Sequence, residues 1–189
     1  MDKIDREIIK ELIKNARKSY NELGQIIGYT TMGAKKRLDK LLKNQVIKTT
    51  ALLNIKELKL YLALVFLEVE SAKKLRDIFK KFEKCPRIIH AFTTLSGYNL
   101  IALVFAEDKD TLESISFEKC SIRSQEGIRR SEFYPIGEVF YSPFLSIKED
   151  LCHQDLDRSP CDIYCVTCER FENNKCAGCA ATNHYRGQL

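Results

Sequence analysis

Five cysteines crowd into the stretch from Cys161 to Cys179, which reads CDIYCVTCERFENNKCAGC, a C-x3-C-x2-C-x7-C-x2-C spacing. Thiols this close together either pair as disulfides or bind a metal as thiolates. The polar tail around them has too few apolar side chains to pack a core, and so small a segment needs a crosslink to hold one shape. The chain opens MDKIDREIIKELIK, charged from its second residue, with no apolar run long enough for export or for spanning a bilayer. The expectation is therefore a cytoplasmic protein, where reducing conditions disfavour disulfides and favour thiolate ligation of a metal. The expected ligands are Cys161, Cys165, Cys168, Cys176 and Cys179.

Two metal groups fit that spacing. Zinc takes four ligands, and Cys165-x2-Cys168 with Cys176-x2-Cys179 supplies two knuckles. The seven-residue spacer is short for a zinc ribbon, however, and Cys161 is left unused. An iron–sulfur cluster of the [4Fe-4S] type also takes four thiolates, commonly three close together and one further on. Cys161, Cys165 and Cys168 provide the three, and Cys176 or Cys179 the fourth, so this reading is preferred to zinc and to free thiols. The C-x3-C-x2-C run is similar to the cluster motif of radical S-adenosylmethionine enzymes, but those need a large barrel downstream and only 21 residues follow Cys168. The tail, with its C-x-G-C and Tyr185-Arg186-Gly187, is similar to cysteine-rich modules appended to archaeal proteins. Cys152, His153 and His184 are auxiliary candidates, lone histidines near a terminus being more often simply solvated; Cys85 and Cys120, far upstream, read as ordinary small buried residues.

The elements that must carry this tail follow from composition and periodicity. A chain of 189 residues with 44% hydrophobic and 30% charged residues is globular rather than disordered. Its net charge of +5 is placed unevenly: the first 50 residues hold twelve Lys or Arg against six acids, a balance suited to a polyanion. Ile4, Ile8, Ile9, Leu12 and Ile13 mark one helical stripe. Ser19 and Glu22 have capping-box spacing ahead of a short second helix that buries Leu23, Ile26 and Ile27 and ends at Gly28. Thr30 caps a third helix with Ala34, Leu38, Leu41 and Leu42 inward and Thr31, Met32, Lys35, Lys36, Lys40 and Lys43 outward. Three short helices with a tight turn and a basic outer face predict a helix-turn-helix, because an α-helix fits the major groove and Lys neutralises phosphate. Val46 to Leu53 is expected to follow as a wing strand.

Residues 5 to 47, DREIIKELIKNARKSYNELGQIIGYTTMGAKKRLDKLLKNQVI, resemble the winged helix-turn-helix of the Lrp/AsnC transcription regulators. Asn15-Ala16-Arg17, Ser19, Leu23, Ile27-Gly28, Thr30, Arg37 and Leu41 fall at that family's characteristic positions. Gly33 departs from the pattern, since glycine inside a helix costs about 1 kcal/mol relative to alanine. It suits either a close backbone approach to DNA or a loosened helix. With the helix pattern, the resemblance implies DNA contacts by Ser19, Thr30, Thr31, Met32, Lys35, Lys36, Arg37 and Lys40.

From Tyr61 the period changes. Tyr61 to Val69 is nearly all apolar, as for a strand covered on both faces. An amphipathic helix follows (Ala72, Leu75, Ile78, Phe79, Phe82), then strands over Ile88 to Leu95 and Tyr98 to Ala106. A helix opening near Asp108 and a strand over Ile128 to Tyr134 complete βαββαβ, the ferredoxin-like order. The Lrp/AsnC resemblance implies the same fold, dimerisation through it, and an effector pocket near Ser96, Gly97, Tyr98 and Asn99, where Asn99 replaces the usual aspartate. Pro135 to Pro160 is expected to pack along the sheet and then become a linker. The expected class is α+β: a winged helix-turn-helix over 1-54, a ferredoxin-like domain over 58-145 and a small metal-stabilised module over 150-189. The expected activity is sequence-specific binding of double-stranded DNA by a homodimer or octamer, modulated by an iron–sulfur cluster that senses redox state, oxygen or iron. A structural zinc site for stability or partner docking is the alternative. An enzyme on the same scaffold, similar to sirohaem decarboxylases, is weaker, with only His90 inside the sheet domain and no use for a basic third helix.

Overall fold

The computed structural model describes residues 1–148 and 155–188; Cys152 and His153 lie outside the described residues. The chain divides into two compact units, Met1–Ala51 and Leu52–Leu189. Among the described residues no helix is long and apolar enough to cross a membrane.

The first unit is three helices: α1 (Lys3–Lys14), α2 (Tyr20–Ile27) and α3 (Thr31–Lys43). Local chemistry sets each boundary. Asp2 and Asp5 form a capping box at α1, and Ser19 and Glu22 form the one expected at α2. Gly28 ends α2 in the left-handed conformation (φ 71°), and the Thr30 side chain accepts from the Gly33 N–H at the start of α3. Ile8, Leu23, Ile27, Ala34 and Leu41 make the core.

Three expectations fail here. Ile13 is 79% exposed and Ile26 is 44% exposed, so neither is a core residue. On α1 the buried place is taken by Glu11, whose carboxylate receives Lys14 Nζ and Lys18 Nζ, each at 2.5 Å. Those two hydrogen bonds pull its pKa down to about 2, so the carboxylate stays ionised at neutral pH. Nor is there a wing strand: residues 46–52 form no strand, and Leu53–Asn54 (β1) instead pairs with Phe144–Leu145 (β6) in the second unit. A strand needs a partner edge, and Leu53–Asn54 finds one there.

The glycines of α2 and α3 differ in kind. A Cβ on Gly24 would sit 2.8 Å from the Tyr29 carbonyl oxygen, a backbone atom that cannot rotate away, while one on Gly33 would meet the Tyr29 ring at 3.2 Å and the Thr30 hydroxyl at 3.3 Å. The Tyr29 N–H also donates to the Gly24 carbonyl at 2.8 Å, so the turn closes directly on this glycine. Alanine gains about 1 kcal/mol over glycine in a helix, whereas overpacking against fixed atoms costs about 1–3 kcal/mol. Gly24→Ala is therefore expected to lower the melting temperature of the first unit and Gly33→Ala to change it little. Equal melting curves for the two variants would show that the turn yields.

The second unit holds a four-stranded antiparallel sheet of order β3-β4-β2-β5, made by β2 (Tyr61–Val69), β3 (Ile88–Thr93), β4 (Leu100–Ala106) and β5 (Ile128–Pro135). Helices α4 (Ala72–Phe82) and α5 (Lys109–Phe117) complete the βαββαβ order. Ala63, Val65, Leu67, Val69, Leu100, Ala102 and Val104 form one buried face with Ile78, Phe82 and Leu112 of the helices. Only that face of β2 is closed along its length, because Leu64, Phe66 and Glu68 on the other are half-buried, which corrects the expectation of cover on both sides.

Part of the expected linker, residues 149–154, lies outside the described residues. Residues 156–188 pack on the sheet domain, with short helix α6 (Glu169–Glu172) among them, and belong to the same unit. Arg87 Nη2 donates to the Gly178 carbonyl at 2.6 Å, Ala177 N–H to Thr111 Oγ1 at 2.9 Å, and Arg170 Nε to Ser114 Oγ at 2.6 Å. The Tyr185 hydroxyl donates to Glu107, and Arg170 pairs with Glu113 at 2.7 Å.

Candidate functional site

Two surfaces carry chemistry. On α3, Thr31, Met32, Lys35, Lys36 and Lys40 are exposed, Met32 at 71%. Ala34 and Leu41 hold the opposite side of the helix in the core, so the fold forces this face outward. Other expected contacts already have structural roles. Ser19 and Thr30 cap helices, and Arg37 joins α3 to α1 through Asp2 and Asp5, each at 2.8 Å, while lying 5.0 Å over the Tyr29 ring. Arg37 thus braces α3 against α1 rather than standing free on the exposed face.

The second surface is a cavity of about 360 Å³ between the sheet domain and the tail. It is lined by Cys161, Cys165, Cys168, Cys176 and Cys179, and also by Cys85 and Cys120. The latter two were expected to be inert packing residues; they sit in the turns after α4 and α5 and bring the thiols on this wall to seven. No sequence signal marks them, since they lie 76 and 41 positions before Cys161. Cys161 is itself part of the sheet core, with Cys85 packed beside it.

Burial favours the protonated form of four of these thiols. Burial pushes Cys85 up to about 11 and Cys165 and Cys179 up to about 12, and it raises Cys120 further; neighbouring sulfurs add to each shift. Two sulfurs have polar neighbours: Ser159 Oγ lies 3.2 Å from Cys161 Sγ, and the Gly178 N–H donates to Cys176 Sγ at 3.4 Å. Gly178 has φ +85°, and a Cβ there would meet the Phe171 ring at 2.9 Å, so only glycine gives this turn. Buried Arg87 shares the cavity wall, its charge opposed by burial but held by Glu107 at 2.5 Å. His184 lies edge-on to Tyr164 at 6.1 Å and is not on the wall. Among the described residues, no three His, Cys, Asp or Glu side chains converge on one point as a single metal ion requires.

The expected effector turn is a hairpin held by its own groups. Asn99 accepts from the Val69 N–H and donates to the Val69 carbonyl, both at 2.8 Å, which ties the end of β2 to β4. Tyr98 donates to Glu132 and packs against Phe66 at 5.8 Å, Ser96 Oγ donates to the Tyr98 carbonyl at 3.2 Å, and Gly97 is exposed.

Residues 1–48 match a family model described as winged helix-turn-helix DNA-binding. An uncharacterized HTH-type transcriptional regulator of Pyrococcus furiosus is 30% identical over 140 residues, covering 74% of this chain and 94% of the relative. Regulatory protein AsnC of Haemophilus influenzae is 27% identical over 125 residues, 65% of this chain and 83% of its own. The chain belongs to the Lrp/AsnC family of transcriptional regulators. This Lrp/AsnC protein is a DNA-binding regulator through its helix-turn-helix and not an enzyme. The fold agrees: the structure of E. coli AsnC superposes with a TM-score of 0.65 at 22% identity, covering 75% of this chain and 95% of that one. Such matches use nearly all of the relative and about three quarters of the Lrp/AsnC chain here, so a quarter of it lies beyond that shared fold.

Proposed function

We propose that this regulator binds double-stranded DNA as a homodimer and that a [4Fe-4S] cluster in the thiol-lined cavity sets its affinity in response to redox state, oxygen or iron. The observation that carries the reading is the cavity itself, a void of about 360 Å³ walled by seven thiols. The donor set fits a thiolate-bound group. Sulfur dominates it, Arg87 offsets negative charge, and the Gly178 N–H and the Ser159 hydroxyl stand beside sulfurs that need hydrogen bonds once deprotonated. Cys161, Cys165 and Cys168, with Cys176 or Cys179, would hold the cluster. Bound there, it would supply a one-electron redox couple and sensitivity to oxidants. The chain's own part is to exclude water, give up thiol protons and hold the tail against α5.

Zinc is the second reading, favoured by the two C-x2-C pairs and the Gly178 N–H turned to Cys176 Sγ. Zinc draws four thiolates to about 2.3 Å from one point. Thiols that surround a volume suit a polynuclear group better. The dimer would use the open sheet face, where Phe92 is 54% exposed and Tyr134, beside Phe66, is 50% exposed.

The test is anaerobic purification of the full chain followed by metal and sulfide analysis, a visible spectrum and operator binding before and after exposure to air. Iron with sulfide, absorbance near 400 nm, and an affinity that changes as the colour bleaches are expected. Zinc without colour would replace the cluster with the second reading, and unchanged affinity after bleaching would remove the sensing role.

A further inference from the structure

The cavity's thiols come from two sources, and only one of them is the cysteine-rich tail. We infer that Cys120, in the turn after α5 of the sheet domain, is the fourth ligand of the same metal centre in place of Cys176 or Cys179, so that the bound group joins the sheet domain to the tail. This rests on the reading above that the cavity holds a thiolate-bound metal group.

Two observations carry it. Cys120 lines the void together with all five tail cysteines. The segment that presents it is also fixed. The Ser121 side chain accepts from the Arg123 N–H, the Ser121 N–H donates to the Glu118 carbonyl at 2.7 Å, and Gln125 Nε2 donates to the Ser121 carbonyl at 2.7 Å. A preset loop of this kind holds a donor in place before anything binds, which is what ligand sites require.

The chemistry is simple. Cys120 loses its thiol proton to solvent as its sulfur bonds the metal, and no electrons are transferred in that step. A centre with ligands on both sides is a crosslink between α5 and the tail, and losing the group cuts it. The tail would then be held on α5 by its hydrogen bonds, chiefly those of Thr111, Ser114 and Arg170, and by the Arg170–Glu113 ion pair.

The experiment compares full-length wild type, C120S and C120A, all purified anaerobically. Metal content and the visible spectrum are read first, then tail cleavage by dilute protease with and without a chelator. Far-UV circular dichroism melting of the chelator-stripped proteins checks the fold. At least a fourfold loss of metal in both variants is expected, with tail cleavage at the rate of stripped wild type. A wild type that holds its metal beside variants with the same metal content and spectrum would overturn the role of Cys120 and leave the cavity reading standing. A wild type with neither iron nor zinc would overturn both. If the variants fail the melting check, the wild type decides by maleimide labelling and mass spectrometry. Cys120 labelled faster after metal removal supports ligation, and a rate indifferent to the metal overturns it.

Discussion

Arg87→Met is expected to undock the tail from the sheet domain. Arg87 and Glu107 have side chains only 7% exposed, 2.5 Å apart, and the same guanidinium donates to the Gly178 carbonyl at 2.6 Å. Methionine fills similar volume but leaves the Glu107 carboxylate buried without its cationic partner, while the Tyr185 hydroxyl still donates to it. Breaking a buried pair from one side costs about 3–5 kcal/mol, because the surviving charge is uncompensated. Much of that loss should appear as a lower denaturation midpoint and as rapid proteolysis of the tail. The double variant Arg87→Met, Glu107→Leu removes both charges and should recover part of the stability, since an apolar pair needs no compensation. A single variant as protease-resistant as wild type would show that the ion pair does not anchor the tail.

The Lys35→Ala, Lys36→Ala double variant is expected to lose about 10- to 100-fold in operator affinity at low salt. Each lysine that neutralises a phosphate contributes about 0.9 to the slope of log affinity against log salt, so the slope should fall by about 2. Loss of affinity at constant slope would mean that the lysines read bases instead. Unchanged affinity and slope would remove this face of α3 as the DNA reader. Arg37→Ala should act differently, because it strands Asp2 and Asp5 and so lowers the stability of the first unit before it touches DNA.

These two expectations sit at opposite ends of what could be read from the chain alone. The α3 face was visible from spacing: Thr30 caps, Ala34 and Leu41 repeat on one side, and lysines occupy the other. The βαββαβ order was equally visible, down to the Asp108 cap of α5, because periodicity changes from 2 to 3.6 and turn residues mark the junctions. The misread positions share a cause. Ile13, Ile26 and the missing wing were assigned by hydrophobicity, but whether an apolar residue is buried depends on what lies opposite it.

What the sequence determined was every feature set by residues within a few positions of one another: the caps, the helix faces, the strand order and the C-x3-C-x2-C-x7-C-x2-C grouping. Tertiary structure alone decided that Arg87, Cys85 and Cys120 meet that grouping across a common void. Caps and periodic faces are local free-energy preferences that neighbouring residues write into the chain. A cavity wall assembled from turns 41 to 76 positions away leaves no such trace, because its members touch only after the sheet, its helices and the tail have packed.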